Sequence, residues 1–163
     1  MDTLITRKME KNDLKEVLQI YKEGIETGIA TFETIVPSEQ IWDDGYHATL
    51  RFVAEERDRV VGWISISPVS TRSVYSGVGE VSVYISSDCK GKGIATKLFK
   101  KLIEESEKAG FWTLQSSIFA INTSSIHLHK KIGFRIVGTR EKIAQLYGEW
   151  HDTVIMEKRS TIK

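Results

Sequence analysis

The residues best suited to chemistry begin with a glycine-rich turn at positions 90–96, which reads Lys-Gly-Lys-Gly-Ile-Ala-Thr. The turn follows a strand-like run and opens an amphipathic helical pattern. Gly91 and Gly93 let the backbone approach a ligand closely, and the N–H groups of the first helical turn have no partner within the helix. Because a helix N-terminus carries about half a unit of positive charge, the turn predicts a phosphate-binding site.

This turn differs from two common nucleotide-binding motifs. The nucleotide-triphosphate loop requires Gly-x-x-x-x-Gly-Lys-Ser/Thr, which is absent. The dinucleotide fingerprint requires a third glycine at a set position, and it follows a strand early in the chain. This turn has no glycine at that position, and the strand before it is not an early one. The alternative to a phosphate site is an ordinary tight connection between a strand and a helix.

Glu80 opens the strand that precedes the turn and is a candidate general base. It shares one strand face with Ser82 and Tyr84, because side chains alternate along a strand. A primary amine is mostly ammonium at neutral pH and cannot attack a carbonyl carbon until it loses a proton. A carboxylate can take that proton directly or through a water molecule. The alternative is a glutamate that pairs with a lysine or arginine at a strand end.

A second candidate group lies on a predicted helix over residues 123–131. Asn122, Ser125, His129 and Ile132 are spaced by three, four and three residues, so they share one helix face. His129 can give or take a proton near neutral pH, and the alternative is a half-buried surface histidine. Asn122 suits both a helix N-cap and a ligand contact, and Ser125 is interpreted as structural.

Composition limits the functional classes. The 163 residues predict a single domain over 1–163, and a net charge of +1, from 23 basic and 22 acidic residues, argues against a nucleic-acid partner. Cys89 is the only cysteine, which excludes an intrachain disulfide and a cysteine-based metal site and fits a reducing compartment. No signal-peptide core and no run of about 20 apolar residues is present, which predicts a cytoplasmic protein without a membrane partner.

Hydrophobic periodicity predicts alternating strands and helices. Asn12 is a candidate N-cap for the first helix, Ser38 caps a second short helix, and Arg57-Asp58 forms a hairpin turn. A third helix starts at the glycine turn and ends near Gly110, and a fourth stops at Gly133. The predicted strands cover residues 4–8, 51–55, 60–67, 80–86, 111–118, 134–137 and 154–157, with a further candidate at 143–147. Hairpin and crossover connections together predict an α/β fold with a mixed sheet and helices on its faces.

These motifs in this order resemble the GCN5-related N-acetyltransferase (GNAT) superfamily. The resemblance rests on Lys-Gly-Lys-Gly-Ile-Ala after Val-Tyr-Ile, then Asn122, then Leu-His-Lys-Lys-Ile-Gly-Phe at 128–134. The superfamily signature is Arg/Gln-x-x-Gly-x-Gly/Ala, and Lys90 stands at its first position here. The substitution is mild for a turn that is used mainly through backbone amides.

A narrower resemblance covers essentially the whole chain. Thr31-Phe32-Glu33, Glu80-x-x-Val-Tyr-Ile, the histidine of the Leu-His run and Trp150-His151-Asp152 look like the phosphinothricin and methionine sulfoximine acetyltransferases. The resemblance implies a mostly antiparallel, twisted GNAT sheet that is splayed at the acetyl-CoA site. It also implies direct transfer of an acetyl group from acetyl-CoA to the α-amino group of a small amino-acid-like amine.

The same resemblance implies roles for individual residues. Glu80 would be the base, and His129 the acid or a proton relay. Arg72 would face the acidic end of the acceptor, with Phe32 and Tyr75 as walls; a solvated arginine and ordinary apolar packing are the alternatives. The implied cofactor-binding residues are Val83, Tyr84, Ile85 and Asn122 for the pantetheine arm, and Gly91, Lys92, Gly93, Ile94, Ala95 and Thr96 for the pyrophosphate.

The alternatives concern the acceptor and catalysis itself. A peptide N-terminus, a polyamine or an aminoglycoside could replace the amino-acid-like acceptor. A non-catalytic acyl-CoA-binding module is the alternative from another class, and a nucleotide-binding domain is a third. No metal is implied, and the resemblance predicts a homodimer.

Overall fold

The computed structural model describes residues 3–162, in which seven strands and four α-helices alternate. Short 3-10 turns precede the first and third helices. In chain order, the elements are β1 Leu4–Lys8, α1 Leu14–Glu26, α2 Glu39–Gly45, β2 Arg51–Glu56, β3 Arg59–Pro68, β4 Val78–Ile85, α3 Ile94–Lys108, β5 Thr113–Phe119, α4 Thr123–Ile132, β6 Arg135–Leu146 and β7 Glu149–Arg159. This order confirms the predicted α/β class.

The seven strands form one sheet in the order β1-β2-β3-β4-β5-β7-β6. Every neighbouring pair is antiparallel except β4 and β5, which are joined by the α3 crossover and run parallel. A parallel neighbour requires such a crossover, whereas the other pairs need only turns or longer loops. The predicted mixed sheet, mostly antiparallel, is therefore confirmed.

The parallel pair separates soon after it forms. β4 and β5 are in register only from Val78 opposite Thr113 to Glu80 opposite Gln115. β4 continues for five residues and β5 for four without pairing to each other. The sheet is thus splayed, as expected, and we call the end of the paired segment, at Glu80 and Gln115, the vertex.

Helices cover both faces of the sheet, which gives the chain two apolar clusters. Leu98, Phe99 and Leu102 of α3 lie in the cluster on one face, together with Val81 of β4. The cluster on the other face contains these buried residues of α1, α2, β2 and β3: Leu14, Val17, Ile20, Tyr21, Ile25, Trp42, Val53, Val60 and Trp63. Because side chains alternate along β4, Glu80, Ser82 and Tyr84 face α1 and α2.

Helix ends follow local sequence in most places. Ser38 caps α2 by accepting a hydrogen bond from the Ile41 N–H at 3.2 Å, and Gly133, with φ of 115°, ends α4. The prediction that Asn12 caps the first helix is wrong. A 3-10 turn at Lys11–Asp13 comes before α1, so Asp13 and not Asn12 directly precedes the helix. The Asp13 carboxylate accepts a hydrogen bond from the Glu10 N–H at 2.7 Å.

The C-terminal strands are longer than predicted. Residues 134–137 and 143–147 fall largely within one strand, β6, and β7 begins at Glu149 rather than at 154. Tyr147 and Gly148, both with positive φ, form the hairpin turn between them. Two register shifts interrupt β6, and most of its residues are exposed, so the strand lacks the alternation that would have marked it.

No helix in the part of the chain that the structure describes has both the length and the apolar character needed to cross a membrane.

Candidate active site

Glu80 lies at the vertex, half-buried, on the face toward α1 and α2. Its Oε1 accepts a hydrogen bond from the Ser117 hydroxyl at 3.1 Å and a longer one from Gln115 Nε2 at 3.5 Å. Both donors come from β5, so the carboxylate of β4 bridges the two strands where they begin to separate. The site therefore offers a partly exposed carboxylate at the inner end of the splay.

Tyr46 lies beside this carboxylate on the same face. Its hydroxyl donates to Ser82 Oγ at 3.1 Å, and Ser82 lies two residues beyond Glu80 on β4. Burial raises the pKa of Tyr46, and the nearby carboxylates of Glu80 and Glu33 also raise it. The phenol is therefore neutral at physiological pH and supplies a hydroxyl, not a charge.

The glycine turn leaves open space in front of α3. Gly91 and Gly93 have φ of 80° and 75°, and a Cβ added to either would meet no atom within 4 Å. The first backbone hydrogen bond of α3 runs from the Lys97 N–H to the Gly93 carbonyl at 3.3 Å, so the amides of residues 94–96 precede the helical ladder. Ile94 buries its side chain in the core, and so only its backbone can serve a ligand here.

The predicted pantetheine strand presents a free backbone edge. From Val81 to Ile85, β4 pairs with β3 on one side and has no described strand on the other. The Tyr84 ring fixes this segment against α1: it lies 4.9 Å from the Tyr21 ring, and a Cβ on Gly24 would come within 2.5 Å of it. Burial raises the pKa of Tyr84, which keeps its hydroxyl neutral.

His129 lies on the opposite face of the sheet, in a closed interior site. The side chain is only 2% exposed and packs edge-on against the rings of Phe99 and Phe134. Its Nδ1 lies 2.7 Å from the Ser125 carbonyl and its Nε2 lies 2.9 Å from the Ser116 hydroxyl. A carbonyl oxygen can only accept, so the neutral ring carries its hydrogen on Nδ1 and accepts from Ser116 at Nε2.

This arrangement limits what His129 can contribute. Burial lowers its pKa, and the Ser125 carbonyl opposes that effect only in part. A neutral ring with its hydrogen on Nδ1 has no proton on Nε2 to donate, and any exchange would pass through Ser116. The predicted role as acid or relay stays a prediction, and the contacts of the ring favour a structural one. His127, the other histidine of α4, is exposed.

Asn122 and Phe32 connect the loop between α1 and α2 to the far side of the splay. The Asn122 side chain caps α4 by accepting from the Ser125 N–H at 3.3 Å, which confirms the predicted cap, and its Nδ2 donates to the Ile29 carbonyl at 3.4 Å. The Phe32 ring packs 4.5 Å from that of Phe119 at the end of β5. The contact of Asn122 with a cofactor stays a prediction.

Arg72 and Tyr75 form a separate group in the loop before β4. The Arg72 guanidinium lies 5.7 Å from the centre of the Tyr75 ring, and both side chains are exposed. No described contact joins this pair to Glu80 or to Phe32. The predicted wall residues Tyr75 and Phe32 therefore lie in two separate groups, one at the loop before β4 and one at the end of β5.

Sequence reasoning missed the residues that surround the predicted base and histidine. Ser116 and Ser117 are adjacent on β5, and Gln115 and Tyr46 complete the set. A Gln-Ser-Ser stretch within a strand carries no distinctive signal. Its contact with Glu80 depends on the parallel register of β4 and β5, which brings together residues 35 positions apart in the sequence. Only the alternation of strand side chains could have placed the two serines on opposite faces. Within residues 3–162, no cluster of three or more His, Cys, Asp or Glu is arranged to hold a metal.

A family profile described as the "Acetyltransferase (GNAT) family" matches residues 14–134, which is most of the chain. The chain belongs to the GNAT acetyltransferase family. It is accordingly an acyl-transferring enzyme that carries out acetyl-CoA-dependent N-acetylation. The matched residues include β4, the glycine turn, α3 and β5, which form the site described above.

Individual relatives match over nearly the full length. The L-methionine sulfoximine/L-methionine sulfone acetyltransferase of Pseudomonas aeruginosa is 30% identical, covering 89% of this chain and 88% of the relative. The phosphinothricin N-acetyltransferase of Alcaligenes faecalis is 30% identical, covering 93% and 80%. A crystal structure of a phosphinothricin acetyltransferase from Sinorhizobium meliloti in complex with AcCoA is 29% identical, with a TM-score of 0.88 over 99% of this chain and 92% of that one.

Proposed function

We propose that this acetyltransferase acetylates the α-amino group of a small amino-acid-like acceptor, such as phosphinothricin, methionine sulfoximine or methionine sulfone. The observation that carries the proposal is the half-buried Glu80 carboxylate at the vertex of the splay, next to the free edge of β4. A base in this place can deprotonate an ammonium group that has entered between the strands. The relatives that act on these acceptors match this chain over most of its length.

The donor would be held by backbone groups more than by side chains. The amides at the start of α3 and the open turn at Gly91 and Gly93 suit a pyrophosphate, since they offer donors and the positive end of a helix dipole. The free edge of β4, at Val83, Tyr84 and Ile85, suits the amide groups of a pantetheine arm. Acetyl-CoA supplies the activated acetyl thioester when it is bound.

Groups of this chain would then transfer the proton, polarise the thioester and bind the acceptor. Glu80 takes a proton from the acceptor ammonium, and a backbone N–H that β4 directs away from β3, that of Val83 or Ile85 on either side of Tyr84, polarises the thioester carbonyl. Arg72 pairs with the acidic group of the acceptor, and Phe32 and Tyr75 line its apolar part. Holding both reactants in one cleft supplies much of the rate.

The proposed acceptor is tested with an assay that measures thiol release from acetyl-CoA over a panel of amines. We expect turnover with methionine sulfoximine, methionine sulfone or phosphinothricin, and little with spermidine, an aminoglycoside or a peptide N-terminus. Replacing Arg72 with Gln should raise KM for the acidic acceptor and leave KM for acetyl-CoA unchanged. Turnover confined to another amine class would overturn the acceptor assignment. Acetyl-CoA binding without turnover on any amine would favour a non-catalytic module.

The donor site is tested by a matched pair of glycine substitutions on α3. Gly93 and Gly110 flank the helix, both have positive φ, and a Cβ on either would meet open space. Gly→Val at either position therefore costs similar backbone strain, about 1 kcal/mol or more. We expect G93V alone to raise KM for acetyl-CoA, by tenfold or more. Equal effects of G93V and G110V would contradict the donor site.

We also propose that the enzyme is a homodimer. Five large apolar side chains are exposed along the hairpin of β6 and β7, and β6 is an edge strand of the sheet: Ile136, Val137, Ile143, Tyr147 and Trp150. Exposed apolar side chains on a strand edge suit burial against a second copy. Light scattering should give twice the chain mass of 18.5 kDa. A mass of one chain at micromolar concentration would refute the dimer.

A further inference from the structure

The Glu80 side chain leans toward the open end of the splay. In the sheet register Glu80 lies opposite Gln115, yet its shorter hydrogen bond, 3.1 Å, goes to Ser117, two residues further along β5. The bond to Gln115 itself is at the 3.5 Å limit. Since β5 no longer pairs with β4 at Ser117, the carboxylate is drawn past the vertex into the cleft.

The two hydrogen bonds converge on one carboxylate oxygen. Ser117 and Gln115 both donate to Oε1, and within the described part of the chain Oε2 accepts no hydrogen bond. Ser67, which lies directly opposite Glu80 on β3, makes no described hydrogen bond to the carboxylate. The two oxygens are thus unequal: one is held by β5, and the other is available to a group in the cleft.

Holding one oxygen has a physical consequence for proton transfer. A free glutamate side chain samples many rotamers, and ordering it costs free energy. A base must also lie within hydrogen-bond reach of the proton it takes, and small displacements reduce the rate. A donor on Oε1 meets both requirements, because it orders the side chain and leaves the lone pairs of Oε2 unoccupied.

We propose that Ser117, assisted by Gln115, is a positioning residue that holds Oε1 of Glu80 so that Oε2 receives the proton of the acceptor ammonium. This inference rests on the proposed function, in which Glu80 is the base. Ser117 acts through Glu80 and does not contact the reacting atoms. No bond other than the N–H bond of the ammonium breaks in this step, and its proton moves to Oε2.

The test compares variants of Ser117 with a matched variant across the vertex. Ser117→Ala should lower kcat about tenfold, the effect of one hydrogen bond to a charged group, with KM for both substrates within about twofold. Ser117→Thr keeps the hydroxyl and should restore kcat to within about threefold of the wild type. Ser67→Ala removes a hydroxyl equally near in register and should leave kcat unchanged. Gln115→Met should have a smaller effect than S117A, since its bond is longer.

Thermal unfolding separates positioning from a loss of packing. Ser117 is exposed, so S117A should keep the melting temperature of the wild type to within about 2 °C while kcat falls. A fall in kcat that comes with a clearly lower melting temperature would indicate a structural defect and refute the positioning role.

The outcomes also separate this inference from the function on which it rests. If Glu80→Gln abolishes turnover while S117A behaves as the wild type, Glu80 is the base and the positioning role is refuted. If E80Q itself retains wild-type turnover, the base assignment fails, and the positioning role fails with it. A tenfold loss in S117A that S117T does not restore would also refute the role of the hydroxyl.

Discussion

At the vertex, each face of β5 carries a serine that is hydrogen-bonded to a titratable side chain, but the two side chains differ in burial. Ser117 binds Glu80 on the face toward α1 and α2, while its neighbour Ser116 binds His129 on the face toward α3 and α4. Glu80 is half-buried, with one oxygen that accepts no described hydrogen bond. His129 is almost fully buried, with a partner on each ring nitrogen.

This difference separates the two titratable groups that the sequence indicated as catalytic. A group that exchanges protons with a substrate needs a free atom within reach of the cleft. Glu80 meets that condition, and His129 meets the conditions of a satisfied buried polar group that joins α4 to β5. Substitutions on both faces test whether the Glu80 face is catalytic and the His129 face structural.

The largest expected effect is on catalysis at the Glu80 face. Glu80→Gln keeps the shape and can still accept from Ser117, but the amide cannot act as a base. We expect kcat to fall by a factor of about 10²–10⁴, with acetyl-CoA binding unchanged by calorimetry. Glu149→Gln, at an exposed site at the start of β7, serves as the control and should retain full activity. Wild-type kcat in E80Q would show that the base lies elsewhere.

At the His129 face, the expected effect is on stability. His129→Ala removes a packed ring and leaves Ser116 and the Ser125 carbonyl without their partner, so the free energy of unfolding should fall by about 2–4 kcal/mol. His127→Ala, at an exposed position of the same helix, should change it by less than about 0.5 kcal/mol. Urea denaturation measures both variants. Equal stabilities would mean that His129 does not hold α4 to β5.

The adjacent residues Ser116 and Ser117 should differ in their contribution to stability, by less than the two histidines do. Ser116→Ala leaves Nε2 of a buried histidine unsatisfied, which should cost about 1–2 kcal/mol of stability. Ser117→Ala removes a hydroxyl from an exposed position and should cost less than about 0.5 kcal/mol. Chemical denaturation of the two variants, one residue apart, compares the faces directly. A larger loss in S117A would invert the assignment.

The pH dependence of stability is the smallest expected effect. Burial lowers the pKa of His129 below its ordinary value of 6.5, so the unfolded chain binds more protons than the native one at acidic pH. Stability should therefore fall as pH decreases through about 6.5. His47, whose pKa burial also lowers, contributes with the same sign and remains in His129→Gln. Urea unfolding at pH 7.5 and 5.5 should show a weaker pH dependence in H129Q, and an unchanged dependence would contradict the buried neutral ring.

Local signals predicted much of the fold, including the glycine turn at the start of α3. The glycine turn, the Ser38 cap and the Arg57-Asp58 hairpin each depend on a few neighbouring residues, and the structure contains all three. The Asn122 cap is of the same kind. Where the local signal was weak, as in the exposed and bulged β6, the predicted strands were too short.

The surroundings of Glu80 and His129 could not be predicted, because they depend on long-range register. Gln115 and Ser117 reach Glu80 only because β5 returns parallel to β4 after the α3 crossover. The helical spacing placed His129 on one face with Ser125, whose carbonyl its ring contacts, yet spacing does not reveal that the ring also packs on Ser116 in the interior. Burial differs between the two faces of β5, and it is set only when the sheet and its helices have assembled.

The kcat of the His129→Gln variant, normalised to folded protein, tests most directly whether the chemistry lies on the Glu80 face alone. Glutamine can donate to the Ser125 carbonyl and accept from the Ser116 hydroxyl, so it preserves the contacts of a structural residue but cannot act as an acid. We predict a kcat within about threefold of the wild type. A loss as large as that of E80Q, in a variant that remains folded, would contradict the assignment of chemistry to the Glu80 face alone.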